Sequence, residues 1–301
     1  MIRLGVDIGG SKIEIIALDD EGGERLRRRL PTPAGNYMAT LSSVSKLVRE
    51  AERELGETCS VGVGIPGAVS TRTGRVKNAN STCLIGRPLK EDLEALLHRD
   101  ICLANDANCF ALSEAADGAA RGAEVVFGVI LGTGVGGGIV VGGRVLAGAN
   151  AIAGEWGHNP LPLPGPDDLP LPACYCGRQG CIETYLSGPG MTRDHAHRTG
   201  QSLAPPEIIA AAQGGGADAL ATRARYENRL ARSLAGVINI LDPDCIVLGG
   251  GLSNIDRLYE SVPKVWPPYI FSDEVRTRLV RNHHGDSSGV RGAAWLWQGD
   301  Q

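Results

Sequence analysis

The sequence predicts an α/β protein built from two related halves. Two segments, residues 2–18 and 125–141, share one pattern: an apolar strand, a glycine-rich turn with a hydroxyl, and a second apolar strand. Apolar residues recur with helical spacing in several other segments, notably 37–55 and 217–241. A chain of 301 residues is long enough for about two domains.

The composition argues against a nucleic-acid or membrane partner. The chain carries 30 Lys and Arg against 34 Asp and Glu, a net charge of -4, so it lacks the basic excess that binds such partners. Residues 125–141 are uncharged and long enough to span a bilayer, but their six glycines favour two strands joined by a turn. No secretory signal precedes the first strand, and the 8 cysteines fit a reducing compartment, so we expect a cytoplasmic protein.

The turn of the first hairpin has the chemistry of a phosphate and magnesium site. Gly9 and Gly10 expose backbone N–H groups that can bind phosphate oxygens. Ser11 adds a hydroxyl donor and Lys12 a positive charge, while Asp7 offers the carboxylate oxygen that Mg²⁺ prefers. The alternative is an ordinary hairpin turn, in which glycine is common.

Two later glycine turns extend the nucleotide hypothesis. The second hairpin turn contains Gly132, Thr133, Gly134 and Gly136. Because it repeats the design of the first, we expect two related halves that face a shared nucleotide. A third turn, Gly249 and Gly250, ends a strand and is a candidate contact for adenosine, although a simple strand-to-helix turn has the same pattern.

Polar residues at strand ends are candidates for sugar binding and catalysis. Gly67 follows strand 60–65, where a substrate can approach the backbone closely. Asn80 lies in an extended segment and has donors and acceptors that suit sugar hydroxyls, or it bonds its own backbone in a turn. Asp106 follows a strand and opens a helix, so it is either a catalytic base or a helix N-cap.

A cysteine cluster predicts a structural zinc site. Cys174, Cys176 and Cys181 have C-x-C-x4-C spacing, and His158 precedes them. Three thiolates and one imidazole form a complete tetrahedral set of soft ligands with no open position. Free buried cysteines or a disulfide are the alternatives.

Two glutamates flank the proposed metal ligands. Glu155 and Glu183 are candidate ligands for a polyhydroxylated substrate, although most glutamates are simply solvated. The proline-rich loop 161–172 lies between the metal ligands, and we expect it to be exposed.

Taken together, these motifs resemble those of the ROK family of sugar kinases and repressors. The motifs that carry the resemblance are residues 7–12, 105–106, 131–134, 154–158 and 174–183. Segments 77–82 and 284–292 give a closer likeness to bacterial fructokinases of the mannofructokinase kind.

The resemblance implies an actin-like, ribonuclease-H-like fold of two α/β domains with a cleft between them. We expect residues 1–117 to form the smaller domain, with helix 289–301 packed back on it, and residues 118–288 to form the larger domain with the zinc loop. ATP and Mg²⁺ are implied as phosphoryl donor and cofactor, structural Zn²⁺ as a second metal, and a homodimer as the assembly. Asp106 matches the family's catalytic base, and Asn105, Glu155, His158 and Glu183 match its sugar contacts.

The expected activity is an ATP:hexose 6-phosphotransferase. The closer likeness implies a fructokinase that makes fructose 6-phosphate, with mannose or glucose as side substrates. Cys83, which stands where related kinases often carry Trp, leaves the sugar preference open. The alternatives are an N-acetylhexosamine or glucose kinase of the same family and a sugar-sensing regulator without catalysis. For the regulator we expect a DNA-binding domain ahead of the first glycine turn, and Asp7 leaves no room for one.

Overall fold

The structure, a computed structural model, describes residues 1–79 and 81–297. The strands are Arg3–Ile8 (β1), Lys12–Leu18 (β2), Glu24–Pro31 (β3), Ser60–Ile65 (β4), Ala68–Val69 (β5), Val76–Lys77 (β6), Cys102–Asn105 (β7), Val125–Leu131 (β8), Val135–Val141 (β9), Arg144–Val145 (β10), Cys245–Gly249 (β11) and Arg278–Arg281 (β12). The α-helices are Tyr37–Leu55 (α1), Leu89–Leu97 (α2), Asp106–Ala116 (α3), Glu183–Leu186 (α4), Gly188–Thr199 (α5), Pro205–Gln213 (α6), Ala217–Leu241 (α7), Leu258–Val265 (α8) and Ser288–Trp295 (α9).

The chain divides into two compact units. Unit 1 comprises residues 1–122, 138–153 and 283–301, and unit 2 comprises residues 123–137 and 154–282. Within the described residues, no helix is long and apolar enough to cross a membrane. The uncharged segment 125–141 instead forms β8 and β9, as the glycine content predicts.

Unit 1 contains a five-stranded sheet with helices on it. The strand order is β3-β2-β1-β4-β7, in which β1, β4 and β7 run parallel. The largest apolar core of this unit packs α1 and α2 onto the sheet through residues such as Leu41, Val48 and Leu93. Helix α9 lies directly on β1, because a Cβ on Gly5 would come within 2.6 Å of the Ala294 nitrogen.

The helix ends explain why sequence periodicity locates α1 so well. Asn36 accepts a hydrogen bond from the Ala39 N–H at the start, and Gly56 ends the helix with a φ of 74°. Both are standard helix signals, a polar N-cap and a left-handed glycine. Similarly, α7 ends at Leu241 ahead of Pro243, which cannot continue a helix.

The second five-stranded sheet has the order β10-β9-β8-β11-β12. Strands β8, β11 and β12 are parallel, so residues just beyond Leu131 and Gly249 lie at the same edge of the sheet. Strand β9 begins at Val135, earlier than the glycine run suggests, so Gly136 lies within a strand and not in the turn.

The expectation that loop 161–172 is exposed is wrong for two of its residues, which are buried. Leu161 is 3% exposed and Asp168 is 5% exposed. Asp168 is buried because two arginines of α7 neutralise its carboxylate, as described below.

Candidate active site and metal centre

Three parallel strands of unit 1 end at one edge of their sheet. β1, β4 and β7 end at Ile8, Ile65 and Asn105, and Asp7 lies opposite Gly64 in the register. Ligands of α/β sheets generally bind beyond the carboxyl ends of the strands. The predicted residues that lie at or just beyond this edge are Asp7, Gly9, Gly10, Gly67, Asn105 and Asp106.

The first glycine turn is tight on one side and open on the other. The Gly9 N–H donates to the Lys12 carbonyl at 2.9 Å, and the Thr32 hydroxyl donates to the Gly9 carbonyl at 2.7 Å. A Cβ on Gly9 would lie 2.9 Å from the Lys12 carbonyl oxygen, so glycine is required there. Among the described residues, none beyond its chain neighbours comes within 4 Å of a Cβ placed on Gly10. This open space is what a phosphate-binding turn needs.

Lys12 is already paired with a carboxylate. Its Nζ lies 3.0 Å from Glu14, which is 1% exposed and also pairs with Arg27 and Arg29. Burial by itself would raise the pKa of Glu14, but hydrogen bonds from Lys12, Arg27 and Arg29 hold that pKa below its ordinary value. A phosphate contact from Lys12 therefore requires its ammonium group to share or leave Glu14.

The surroundings of the Asp7 carboxyl suit a bound cation. Burial, followed by the negative charges of Asp106 and Glu14, raises the pKa of Asp7 to about 7, although Lys12 acts in the opposite direction. Near neutral pH, a carboxyl with this pKa is about half protonated. A divalent cation bound beside Asp7 would favour the carboxylate and reduce its repulsion with Asp106.

Asn105 and Asp106 have different roles at the start of α3. Asn105 is the N-cap, because its Oδ1 accepts a hydrogen bond from the Ala107 N–H at 2.9 Å, so the alternative of Asp106 as the cap is wrong. The Asn105 amide also donates to the Gly67 carbonyl at 2.9 Å. Asp106 is the first helical residue and is exposed, with its Oδ1 2.8 Å from the Ala107 nitrogen. Its carboxylate is therefore held at the helix N-terminus, where negative charge is favoured.

Gly67 has a structural reason to be glycine apart from any substrate. Its φ is +80°, and a Cβ there would lie 2.5 Å from the Lys77 carbonyl oxygen. The segment 77–79 therefore packs against Gly67, beside Asn105. Asn80 is the next residue and a predicted sugar ligand, and it lies outside the described residues.

In unit 2, the second glycine turn is tied to Glu183. The Val135 N–H donates to Glu183 Oε2 at 2.9 Å, and a Cβ on Gly134 would come within 2.7 Å of the same oxygen. The Gly188 N–H donates to the Gly132 carbonyl at 2.8 Å. One carboxylate oxygen of Glu183 thus positions the turn, and the other oxygen remains the candidate for a substrate contact.

The segment 154–158 is fixed by Trp156, which places Glu155 and His158. The buried Trp156 indole donates to the Gly136 carbonyl at 3.0 Å and packs edge-on against Phe127. Glu155 is exposed, and His158 is half-buried. The predicted role of Gly136 as a phosphate contact therefore competes with a clear structural role for its carbonyl.

The four predicted metal ligands come together. One ligand atom from each of His158, Cys174, Cys176 and Cys181 lies within 4.8 Å of the others. His158 Nδ1 is 3.6 Å from Cys174 Sγ, and Cys176 Sγ is 3.6 Å from Cys181 Sγ. Tetrahedral zinc with Zn–S bonds of about 2.3 Å places its sulfurs about 3.8 Å apart, so the donor set fits zinc.

Local backbone and charge favour this cluster. Gly177 turns the chain with a φ of 87°, and its N–H donates to the Cys174 carbonyl at 3.0 Å. Hydrogen bonds from Arg178 lower the pKa of Cys176 to about 6, whereas burial and its cysteine neighbours raise the pKa of Cys181 to about 12. A lowered pKa favours the thiolate, which is the form that binds metal.

A buried ion cluster anchors the loop between the metal ligands. The Asp168 carboxylate accepts hydrogen bonds from Arg229 Nε at 2.8 Å and from an Arg232 terminal nitrogen at 2.9 Å. The Tyr185 hydroxyl donates to the Asp168 carbonyl at 2.8 Å. Because all of these groups are buried, the loop is held to α7. We call Asp168, Arg229 and Arg232 the Asp168 cluster.

A cavity of about 840 Å³ in unit 2 lies beside the second glycine turn. Its lining comprises Gly132, Thr133, Gly188, Pro189, Thr192, Pro205, Pro206, Ile209, Ala210, Gln213, Gly251, Leu252, Asn254 and Ile255. Cavities of roughly 300–1,000 Å³ with apolar walls and a few polar groups are typical of small-molecule sites. The size and the adjoining turn suit a nucleotide whose phosphates reach Gly132 and Thr133.

The sequence located only part of this cavity. Gly249 ends β11, and a Cβ on Gly250 would lie 2.5 Å from the Leu131 carbonyl oxygen, so Gly250 serves close packing. The next residue, Gly251, lines the cavity. The prolines and Ile209 of α6 were missed as site residues, because apolar periodicity marks a helix without showing what its exposed face contacts.

The chain belongs to the ROK family, whose model matches residues 3–300. The N-acetyl-D-glucosamine kinase of Salmonella paratyphi B is 44% identical over 296 residues, which cover 97% of this chain and 98% of that protein. The protein of the same name from Salmonella typhimurium has the same identity and coverage.

Solved structures confirm the predicted α/β, actin-like two-domain fold class. A ROK hexokinase from Thermus thermophilus has a TM-score of 0.87 and 32% identity, covering 98% of this chain and 97% of its own. A ROK family glucokinase from Streptomyces griseus, in complex with glucose and AMPPNP, has a TM-score of 0.76 and 28% identity, covering 98% and 99%.

Proposed function

We propose that the protein is an ATP-dependent hexose kinase that phosphorylates the 6-hydroxyl of its sugar, with N-acetyl-D-glucosamine as the first candidate acceptor. The observation that carries the proposal is the 44% identity, over nearly the full length of both chains, to proteins named N-acetyl-D-glucosamine kinase. These relatives support the N-acetylhexosamine alternative better than the fructokinase favoured by the sequence motifs.

The residues at the sheet edge of unit 1 support phosphoryl transfer. Asp106 is exposed at the start of α3 and accepts the proton of the sugar 6-hydroxyl. The O6–Pγ bond forms as the bond from Pγ to the β-phosphate oxygen breaks, which releases ADP. The chain's task is mainly to position the groups and to offset charge, since this reaction needs little covalent help from the protein.

The cofactors have residues that fit them. Asp7 would hold Mg²⁺, which would offset the negative charge of the ATP phosphates. In each glycine turn, N–H groups such as those of Gly10 and Thr133 are candidate donors to phosphate oxygens, and the cavity lined by α6 is the candidate site for the adenosine. His158 and the three cysteines would hold a structural zinc, which would fix the segment that carries Glu155 and Glu183.

Fructose is the second candidate acceptor. Segments 77–82 and 284–292 carry the closer likeness to fructokinases, and residues 77–79 pack against Gly67, whose carbonyl accepts a hydrogen bond from Asn105. A regulator that binds sugar without catalysis is the alternative from another class.

A coupled ADP-release assay with magnesium-ATP tests these candidates. The panel contains N-acetylglucosamine, N-acetylmannosamine, glucose, mannose and fructose. We expect the highest kcat/KM for N-acetylglucosamine. A dominant value for fructose would replace the first acceptor with the second and leave the kinase in place. Sugar binding without any turnover would favour the regulator.

A further inference from the structure

A second cavity, in unit 1, borders the first glycine turn and has no assigned occupant in the mechanism described above. It measures about 240 Å³ and is lined by residues from the end of β1, the loop between β3 and α1, and residues 81–84. A single ordered water needs about 10–15 Å³ of such space. The cavity therefore has room for a substituent of several heavy atoms.

The cavity adjoins the groups that are proposed to bind the acceptor. It includes Ile8 and Gly10, which flank the first glycine turn at the carboxyl edge of the sheet. Its other wall, residues 81–84, is close in sequence to residues 77–79, which pack on Gly67, and the Gly67 carbonyl accepts a hydrogen bond from Asn105. The cavity therefore adjoins the carboxyl edge of the sheet at which Asn105 and Asp106 are proposed to bind the sugar.

The lining combines apolar walls with unused hydroxyl groups. Ile8, Ala34, Cys83 and Leu84 provide the apolar surface. The hydroxyls of Ser81 and Thr82 take part in no side-chain hydrogen bond within residues 1–79 and 81–297, whereas the Thr32 hydroxyl already donates to Gly9. Such a lining suits a group with a methyl and an amide, because the amide can use the hydroxyls as partners.

We propose that this cavity receives the 2-acetamido group of an N-acetylated hexosamine, and that Cys83 sets the size of the N-acyl group it accepts. The inference rests on the proposed function and specifies its acceptor. Cys83 is half-buried and packs against the apolar core of unit 1, so its side chain is a fixed wall of the cavity. A larger residue at this position would fill the space, and a smaller one would extend it.

The test compares two sugars that differ only in the N-acyl group, so it does not depend on activity alone. The kcat/KM is measured for N-acetylglucosamine and N-propionylglucosamine with the wild type, Cys83→Ala, Cys83→Phe and the matched control Ile85→Phe. Ile85 is 48% exposed and does not line the cavity, so it reports the effect of a nearby bulky residue. One methylene in an apolar pocket changes kcat/KM by roughly 10–200-fold.

We expect the propionyl-to-acetyl ratio of kcat/KM to rise in Cys83→Ala and to fall about ten-fold in Cys83→Phe, with no change in Ile85→Phe. A general folding defect would lower both values and leave the ratio unchanged. An unchanged ratio in both Cys83 variants, or an equal change in Ile85→Phe, would overturn the inference alone. Wild-type turnover of fructose but of no N-acylated sugar would overturn the inference together with the first candidate acceptor.

Discussion

The Asp168 cluster should be one of the strongest single determinants of stability in unit 2. Asp168 is 5% exposed, and both arginines that neutralise it are buried on α7. Asp168→Asn keeps the shape of the side chain but removes its charge, so Arg232 loses its paired carboxylate and Arg229 keeps only its second pair, with Asp194. Breaking a buried ion pair by removing one partner costs about 3–5 kcal/mol.

This free-energy change predicts a measurable fall in melting temperature. At roughly 2–4 °C per kcal/mol for a chain of this size class, Asp168→Asn should lower the Tm by about 6–20 °C. Differential scanning fluorimetry at pH 7.5 measures the effect. The zinc content should fall as well, because the loop that is held by Asp168 connects His158 to Cys174.

The neighbouring residue provides a matched control. Asp167 is 69% exposed and pairs with Arg198 on the surface at 3.2 Å. Exposed ion pairs contribute at most about 1 kcal/mol, so Asp167→Asn should leave the Tm nearly unchanged. Equal Tm values for the two variants would refute the argument that burial makes the Asp168 pairs important.

The acid sensitivity of the cluster has a definite sign. Burial would raise the pKa of Asp168, but hydrogen bonds from Arg229, Gly165 and Arg232 hold it below its ordinary value. The stability that the carboxylate contributes is therefore present above an unfolded-state pKa of about 3.9 and is lost as pH falls through the lower native value. Asp168→Asn should flatten this part of the stability profile.

Two other substitutions test the cation sites. Asp7→Asn should raise the Tm of metal-free protein at pH 8. The native pKa of Asp7 is about 7, above the unfolded value of about 3.9, so ionised Asp7 destabilises the fold as pH rises through that range. The same variant should lose magnesium-dependent turnover, and a lower Tm at pH 8 would contradict the assignment. Elemental analysis should find roughly one zinc per chain in the wild type and in Cys102→Ser, which lies outside the cluster, and should find that Cys176→Ser has lost it. Full zinc retention in Cys176→Ser would refute the four-ligand site.

Features encoded by short stretches of sequence were predictable. The bounds of α1 and α7 follow from apolar periodicity and from capping or breaking residues close to their ends. The metal ligands were recognisable because Cys174, Cys176 and Cys181 are close in sequence and share a chemistry that few other arrangements need. His158 was recognisable as the fourth ligand because one imidazole completes a tetrahedral set with three thiolates.

Features that depend on distant pairs were not predictable. Asp168 meets Arg229 and Arg232 across more than sixty positions, 61 and 64 residues away, and no local pattern marks those partners. Glycine was ambiguous for a related reason. Gly10 leaves open space and Gly250 avoids a clash with Leu131, yet the two occur in similar strand-end turns.

The sequence also did not determine which of two adjacent residues caps α3. The sequence offered Asp106 as either cap or base, but the structure places the cap at Asn105, whose side chain also reaches Gly67. The choice depends on backbone dihedral angles at the end of β7, which composition does not specify.

The most direct test of the central claim is a comparison of sugar phosphate formation by the wild type and Asp106→Asn. Both proteins are incubated with magnesium-ATP and the acceptor panel, and the product is identified by mass spectrometry and phosphorus NMR. We predict one hexose 6-phosphate per ADP in the wild type, and a kcat lowered by roughly 10²–10⁴-fold in Asp106→Asn with little change in sugar affinity. No phosphorylated sugar from zinc-loaded wild type, or most of the turnover retained in Asp106→Asn, would contradict the account.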